Sequence, residues 1–446
     1  MKGRHSSLAG PRSRRRRARQ ADPPGRLLSG AAALLRTGSL VALLLLPAVA
    51  SADTWSWDDE RSELELRNFY KSMVTGLRLP PPLVDANLVP AYGVLWTHAT
   101  RTWGHLVLKE KYELQVGYQL AAVIASDPAL STGAGLGTSV PASMARAERR
   151  LVDFDPLLVK RGGMSLYHDL DLLAVKADLG KVDVTVGRQV LSWGSGRLWN
   201  PTDLLSPFAP TDIDREVRRG VDALRVSIPF SETAQLDVLW LPLPELRDHG
   251  GVARAQVNIK SFDIAPSVAK YVRDAVFGLD VTGDAGPVGV HTEAAYTVAL
   301  DTDERFVRAV VGAELRPTDE LVLIGEYYYN GFGARDPAGY LDVLQSDRVA
   351  RGEVFGAGRH YAGIVAAYKY SELLNVQAIA ITNLLDPSLL VVPAVEYWAE
   401  QKVLVRAGAY LPVGRSAEVD ASGLTLHSEY GVAPFGAFAQ IAIYLL

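Results

Sequence analysis

Along most of the chain, apolar and polar residues alternate with a period of two. In residues 112–120 every even position is apolar, while the odd ones hold Tyr-free polar or small groups: Glu113, Gln115, Gly117 and Gln119. Between 288 and 301, His291, Glu293, Thr297 and Asp301 share one face, and Val288, Val290, Tyr296, Val298 and Leu300 share the other. Residues 306–315 set Arg308 and Glu314 against Val307, Val311 and Leu315. Residues 402–411 set Lys402 and Arg406 against Val403, Val405 and Leu411. Successive side chains of a strand point to opposite faces, so each segment predicts a strand with one wet and one apolar face. Beyond the N-terminal region, no run approaches 18 consecutive apolar residues, which argues against helical membrane spans.

Alternation alone also suits a soluble sandwich, so the connections matter. Short turns fall at 179–181, 231–233, 284–287, 316–320, 371–372 and 399–401; long connections fall at about 125–166, 194–219, 244–273, 334–358 and 413–434. Taken in order, the short turns occupy one end of the sheet and the long loops the other, with 301–304 and 385–388 as short members of the loop end. Short periplasmic turns opposite long outer loops are the pattern of a bacterial transmembrane barrel. The sequence therefore predicts an all-β fold: a single transmembrane antiparallel β-barrel of about 16 strands. The expected strands are 61–72, 96–108, 112–124, 167–179, 181–193, 221–230, 234–243, 274–283, 287–300, 305–316, 320–332, 359–370, 373–384, 388–398, 402–412 and 435–446. Omitting the first two gives 14, and a pair hidden in 244–273 gives 18; an even count keeps both termini on one side. The last strand carries an aromatic residue at Tyr444, two places before the final Leu446, close to the terminal aromatic that commonly ends such barrels.

The N-terminal region reads as an export signal. A basic stretch at 12–19 precedes an apolar core at 40–46, then Pro47 and the small-residue sites Ala48-Val49-Ala50 and Ala50-Ser51-Ala52. That order predicts a signal peptide over 1–52, cleaved after Ala50 or Ala52, with the barrel over 53–446. Its apolar core is too short to span a bilayer. The segment holds ten of the 46 Lys and Arg and one of the 50 Asp and Glu, so the mature chain keeps 36 and 49, a net charge near −13 rather than −4. An acidic chain lacks the basic footprint that nucleic-acid binding needs. The absence of cysteine excludes disulfides and thiolate metal sites.

The run Gly187-Arg188-Gln189, followed by Trp193-Gly194 and Trp199-Asn200-Pro201, stands apart. Before it Val182, Val184 and Val186 mark the even face as apolar; after it Leu191 and Trp193 mark the odd face. A β-bulge near 187–189 would produce that switch and place Trp193 at the membrane–water boundary. Over 181–221 the segment resembles porin-like outer-membrane families, including alginate-export-type barrels. The resemblance implies a strand arginine facing the lumen and a following loop folded over the pore. Arg188 and Arg225 are then expected to face inward, with the 194–219 loop, including Arg197, Asp212 and Asp214, forming a constriction. The opposing reading is that these charges only pair with one another and keep the barrel plugged.

The inward positions hold Glu113, Lys176, Asp183, Arg188, Arg225, Asp237, Asp280, Glu293, Arg308, Glu314, Glu326, Glu396 and Arg406. Burying so many charges in a dry core would be costly, whereas a water-filled lumen hydrates them and uses them to tune solute preference. The mixture leans acidic, which suggests a mild cation preference. No Gly-x-Ser-x-Gly, P-loop or His-Glu-x-x-His motif is present, and no catalytic site or cofactor is expected. His98 and His105 are poorly spaced for a metal. Asp169 and Asp171 supply too few oxygen ligands for calcium. The sequence thus points to a channel for hydrophilic solutes or a polymer, or else to a closed structural barrel. Expected partners are outer-membrane lipid, periplasmic chaperones and the barrel-assembly machinery.

Overall fold

The computed structural model describes residues 56–59, 62–85, 91–126, 150–152, 157–212, 214–420 and 423–445; the expected signal peptide and its cleavage sites lie outside them. The alternating segments form eighteen strands. In chain order they are β1 (Ser62–Arg78), β2 (Tyr92–Leu108), β3 (Tyr112–Ala125), β4 (Met164–Asp178), β5 (Asp183–Gln189), β6 (Val221–Ser231), β7 (Ala234–Leu241), β8 (Gly250–Ile259) and β9 (Phe262–Tyr271). They continue as β10 (Asp274–Ala285), β11 (Val288–Ala299), β12 (Arg305–Leu315), β13 (Leu321–Asn330), β14 (His360–Lys369), β15 (Leu374–Asn383), β16 (Ser388–Glu400), β17 (Val403–Val413) and β18 (Phe435–Leu445). Each pairs antiparallel with the next. β1 pairs with β18 from Asn68↔Leu445 to Arg78↔Phe435, so the sheet closes into a barrel. Two short strands, Ser56–Asp59 and Leu157–Arg161, extend the edges of β1 and β4.

The strand count corrects the expected 16. The additional pair is β8 and β9, within the stretch read as a long connection. β8 presents Ala253 and Ala255 outward, so its apolar face is weak in sequence. β9 carries Pro266, which cannot donate to a ladder and argues against a strand. Their turn, Lys260-Ser261, lacks the usual Gly or Asn; Lys260 itself adopts φ 63°. Most tight turns, with the start of β1 and the end of β18, lie at one end; the connections 190–220, 331–359 and 414–434 lie at the other, together with the short turns 272–273, 300–304 and 384–387.

The faces divide as the alternation predicts. From β7 to β17 the outward positions hold Val238, Trp240, Val268, Phe277, Leu279, Val307, Val311, Ile364, Val376, Val395 and Val405, all exposed. The inward positions hold Asp237, Asp280, Glu293, Arg308 and Glu326, all buried. A soluble protein hides its apolar face; this inside-out distribution suits an apolar belt facing lipid around a polar interior. Among the described residues, no helix is long and apolar enough to cross a membrane.

The expected bulge at 187–189 takes another form. β5 pairs past Gly187 with β4 and β6 without a register shift. Gly187 instead adopts φ 117°, and a Cβ there would lie 2.3 Å from the Leu173 carbonyl oxygen. Only glycine tolerates both conditions. The register shift lies one strand earlier, in β4, where Gly117 faces Leu172 and Tyr118 faces Leu170, leaving Asp171 as the extra residue.

Candidate functional site

The segment between β5 and β6, residues 190–220, folds into the barrel. Its first part packs Leu191, Leu204 and Leu205 against Ala223, Leu239, Leu241, Val252, Ala269, Val276 and Ala295, with Trp193 alongside. Arg254 lies 5.6 Å from the centre of the Trp193 ring. Trp193 was expected at the membrane boundary; the structure places it inside the barrel, because an apolar patch on the inner wall from β6 to β11 offers the loop a surface to bury.

Two wall carboxylates fasten the next stretch. Glu293 on β11 accepts from the backbone N–H of Ser195 and of Gly196, both at 2.7 Å, and from the N–H and hydroxyl of Thr202 at 3.1 and 2.6 Å. Glu326 on β13 accepts from the N–H groups of Arg197, Leu198 and Trp199, the latter two at 3.0 and 3.3 Å, and it contacts His291 Nε2 at 2.8 Å. A loop lacking strand partners must satisfy its N–H groups elsewhere, and these carboxylates do so with charge-assisted bonds. Close approach depends on glycine at two inward positions. A Cβ at Gly312 would lie 2.2 Å from His291 Nε2, and one at Gly363 would lie 2.3 Å from a Leu198 methyl. Arg308 donates to the carbonyls of Pro201, at 3.1 Å, and Glu353. Trp199 stacks on Tyr328 at 5.2 Å and 11°.

The far end of the loop is held across the barrel. Lys71 of β1 donates to Asp214 at 2.6 Å and also to Glu216, and the Tyr444 hydroxyl of β18 donates to Glu216 at 3.0 Å. Burial pushes the Asp214 carboxyl up, but the Lys71 ammonium overrides this and holds it below the usual carboxylate range. Asp203, buried in the loop, is raised by desolvation despite its 2.8 Å ion pair with Arg218. Arg215 is spent on the loop itself, donating to the carbonyls of Arg197 at 2.8 Å and Pro210 at 2.7 Å.

Between this loop and the wall from β13 to β18 lies a cavity of about 650 Å³. Arg197, Asp212, Arg215 and Glu216 line it from the loop; Gln377, Glu396, Arg406 and Tyr444 line it from the wall. Arg406 pairs with Glu396 at 2.6 Å and donates to Gln440 at 3.1 Å. Arg197 is the most accessible of these charges and reaches Glu314 at 3.3 Å.

The remaining expected residues stand elsewhere. Arg188 is buried at the loop end of β5, bonded to Asp222 and the Leu170 carbonyl, each at 2.8 Å. Arg225 is paired with Asp237 at 2.9 Å. Neither lines the cavity. Asp171 pairs with Arg101 at 2.8 Å and Asp169 with Arg150, so both carboxylates have arginine partners. His98 contacts Tyr70 at 2.8 Å. Among the described residues no cluster of three His, Asp or Glu has the arrangement to hold a metal. Sequence reasoning missed Lys71 and Gln377; Arg215 and Glu216 lie within the 194–219 loop it expected at the constriction. Lys71, a charge on the inward parity of an otherwise alternating strand, was the one with a readable signal.

No protein-family model and no curated protein matches the chain. Solved structures do match. A BenF-like porin from Pseudomonas fluorescens Pf-5 is similar with a TM-score of 0.53 at 10% identity, over 86% of this chain and 98% of that one. OccAB2 from Acinetobacter baumannii gives 0.51 at 9% identity, over 85% and 97%. The outer membrane protein OprD from Pseudomonas aeruginosa gives 0.50 at 8% identity, over 88% and 95%. At such identities the likeness is one of fold, and the fold is that of a porin-like outer-membrane β-barrel.

Proposed function

We propose that the protein is a passive channel of the outer membrane for small hydrophilic solutes, constricted by the 190–220 loop. The observation that carries this reading is the cavity left beside the in-folded loop. Charged residues stand on both its loop side and its wall side, whereas a plug would close onto the wall. Arg197, Asp212, Glu216, Glu396 and Arg406 form the narrow zone. Arg188 and Arg225, both paired and away from the cavity, tie β5, β6 and β7 together on another part of the wall. A cavity of about 650 Å³ beside an in-folded loop suits small solutes better than a polymer. Chaperones and the assembly machinery act on the chain before insertion, and lipid contacts the outward belt.

A closed barrel is the competing reading, supported by how firmly Glu293, Glu326 and Lys71 hold the loop. Refolded mature protein in planar bilayers separates the two: the channel gives stable ohmic steps, and insertion without current sinks it. The Asp214 anchorage adds a pH dependence. A carboxyl depressed in the folded state contributes stability above its ordinary pKa of about 4, and loses it as pH falls through the folded value. Open-channel noise is therefore expected to be low at pH 7 and to rise below about pH 4. Lys71→Met should show raised noise already at pH 7; a quiet Lys71→Met channel at neutral pH would remove this contact from the anchorage.

A further inference from the structure

We infer that a second cavity, at the outer mouth of the barrel, is a binding site for small organic cations with a ring-shaped apolar body. The inference rests on the channel reading and deepens it, since it names a solute class that the mouth retains. The cavity measures about 220 Å³ and lies among the 190–220, 331–359 and 414–434 loops. Its walls include Trp199, Phe355, Tyr361, Tyr410 and Tyr430, and its one carboxylate is Glu429. A polar lumen has no need of such a lining, and an apolar cavity of roughly 150 Å³ already accommodates benzene. Aromatic faces attract cations through their quadrupoles.

Glu429 supplies the acidic group; burial pushes its carboxyl above the usual range, and a cation bound beside it favours the ionised form. It accepts from the Ala357 N–H at 2.9 Å, Asn383 Nδ2 at 2.8 Å and the Tyr361 hydroxyl, so neutral donors hold it in place. Among the described residues no Lys, Arg or His pairs with it, unlike Asp169, Asp171, Asp222, Asp237 and Glu396, each of which has an arginine. A carboxylate without a counter-charge beside five aromatic rings favours an ammonium and repels an anion.

The cavity also adjoins the lower one through the loop that walls both. Trp199 and Thr211 line this upper space, while their chain neighbours Leu198 and Asp212 line the lower one. Leu390 and Glu396 of β16 stand in the same order, upper and then lower. The same segment of loop therefore forms one wall of the aromatic site and one wall of the lower cavity, with Asp212 on its far side.

The test is calorimetric titration of the detergent-refolded protein with benzylammonium, benzyl alcohol and benzoate. Saturable binding of benzylammonium is expected, with benzyl alcohol weaker and benzoate weaker by about tenfold or more, as for a hydrogen bond to a charged group. Glu429→Gln should lower benzylammonium affinity by about tenfold, and Leu390→Trp, which fills the space but keeps the carboxylate, should abolish binding. Equal binding of benzoate, or full affinity in a folded Leu390→Trp variant, would overturn the site. Should Glu429→Gln fail to fold, the solute comparison and Leu390→Trp decide alone. Because the assay needs no current, silent bilayers with intact binding would overturn the channel and leave the site, and ohmic steps without binding would do the reverse.

Discussion

Replacing Glu293 and Glu326 together by alanine is expected to raise single-channel conductance about twofold or more and to make the current noisy. The two carboxylates accept five backbone N–H groups from Ser195, Gly196, Arg197, Leu198 and Trp199, and a sixth from Thr202. Each donor left unsatisfied costs about 1–3 kcal/mol. The sum exceeds the roughly 5.5 kcal/mol that carries a two-state equilibrium from 1:99 to 99:1. The loop should then leave the wall and open the lumen. Protease susceptibility between 190 and 220 should rise in parallel. Glu326→Gln is an instructive intermediate, because its amide turns one acceptor into a donor facing other donors. A double variant with unchanged conductance and an uncut loop would mean that the Trp199 stack, the Leu191, Leu204 and Leu205 packing and the Arg308 and Lys71 contacts hold the segment without the two carboxylates.

Arg406→Glu is expected to shift ion selectivity toward cations. The substitution removes the partner of Glu396 and adds a negative charge to a cavity that already presents Asp212 and Glu216. At about 7 Å in water, a change of two charge units alters a passing ion's energy by about 1 kcal/mol, roughly fivefold in relative occupancy. The shift should shrink between 0.1 and 1 M salt as screening sets in. Reversal-potential measurements across a salt gradient read it directly. Arg225→Glu, remote from the cavity, should move selectivity much less; an equal response would relocate the narrow zone toward β6.

Much of this architecture is readable in the chain because strand pairing in an up-and-down barrel is a local matter. Once 288–301 and 306–315 are recognised as two-faced strands, their short connection joins them, and the same step repeats around the barrel. The hairpin of β8 and β9 escaped that logic, since alanine gives little apolar contrast and Lys260 gives no turn signal. The loop's seating is a different kind of information. Glu293 and Glu326 can be recognised as inward charges, but nothing local to them shows that their partners are backbone groups about a hundred residues upstream. Gly312 and Gly363 carry the complementary signal: each marks an inward position where another part of the chain comes too close for a Cβ. Trp193 misled for a related reason. An aromatic residue at the end of a strand suits a membrane girdle, and only the apolar inner wall of β6–β11 shows why it turns inside.

The distant anchors of the 190–220 loop impose an order on assembly. Its first clasps are separated from it by 98 residues at Ser195–Glu293 and by 128 at Leu198–Glu326, so the loop cannot settle until β11 and β13 are in place. Its last clasps belong to Lys71 in the first strand and Tyr444 in the last, which meet only when the barrel seam joins. Glu216 contacts both. The loop therefore acts as a fastener for the seam, its contacts complete only once the final strand has joined the first.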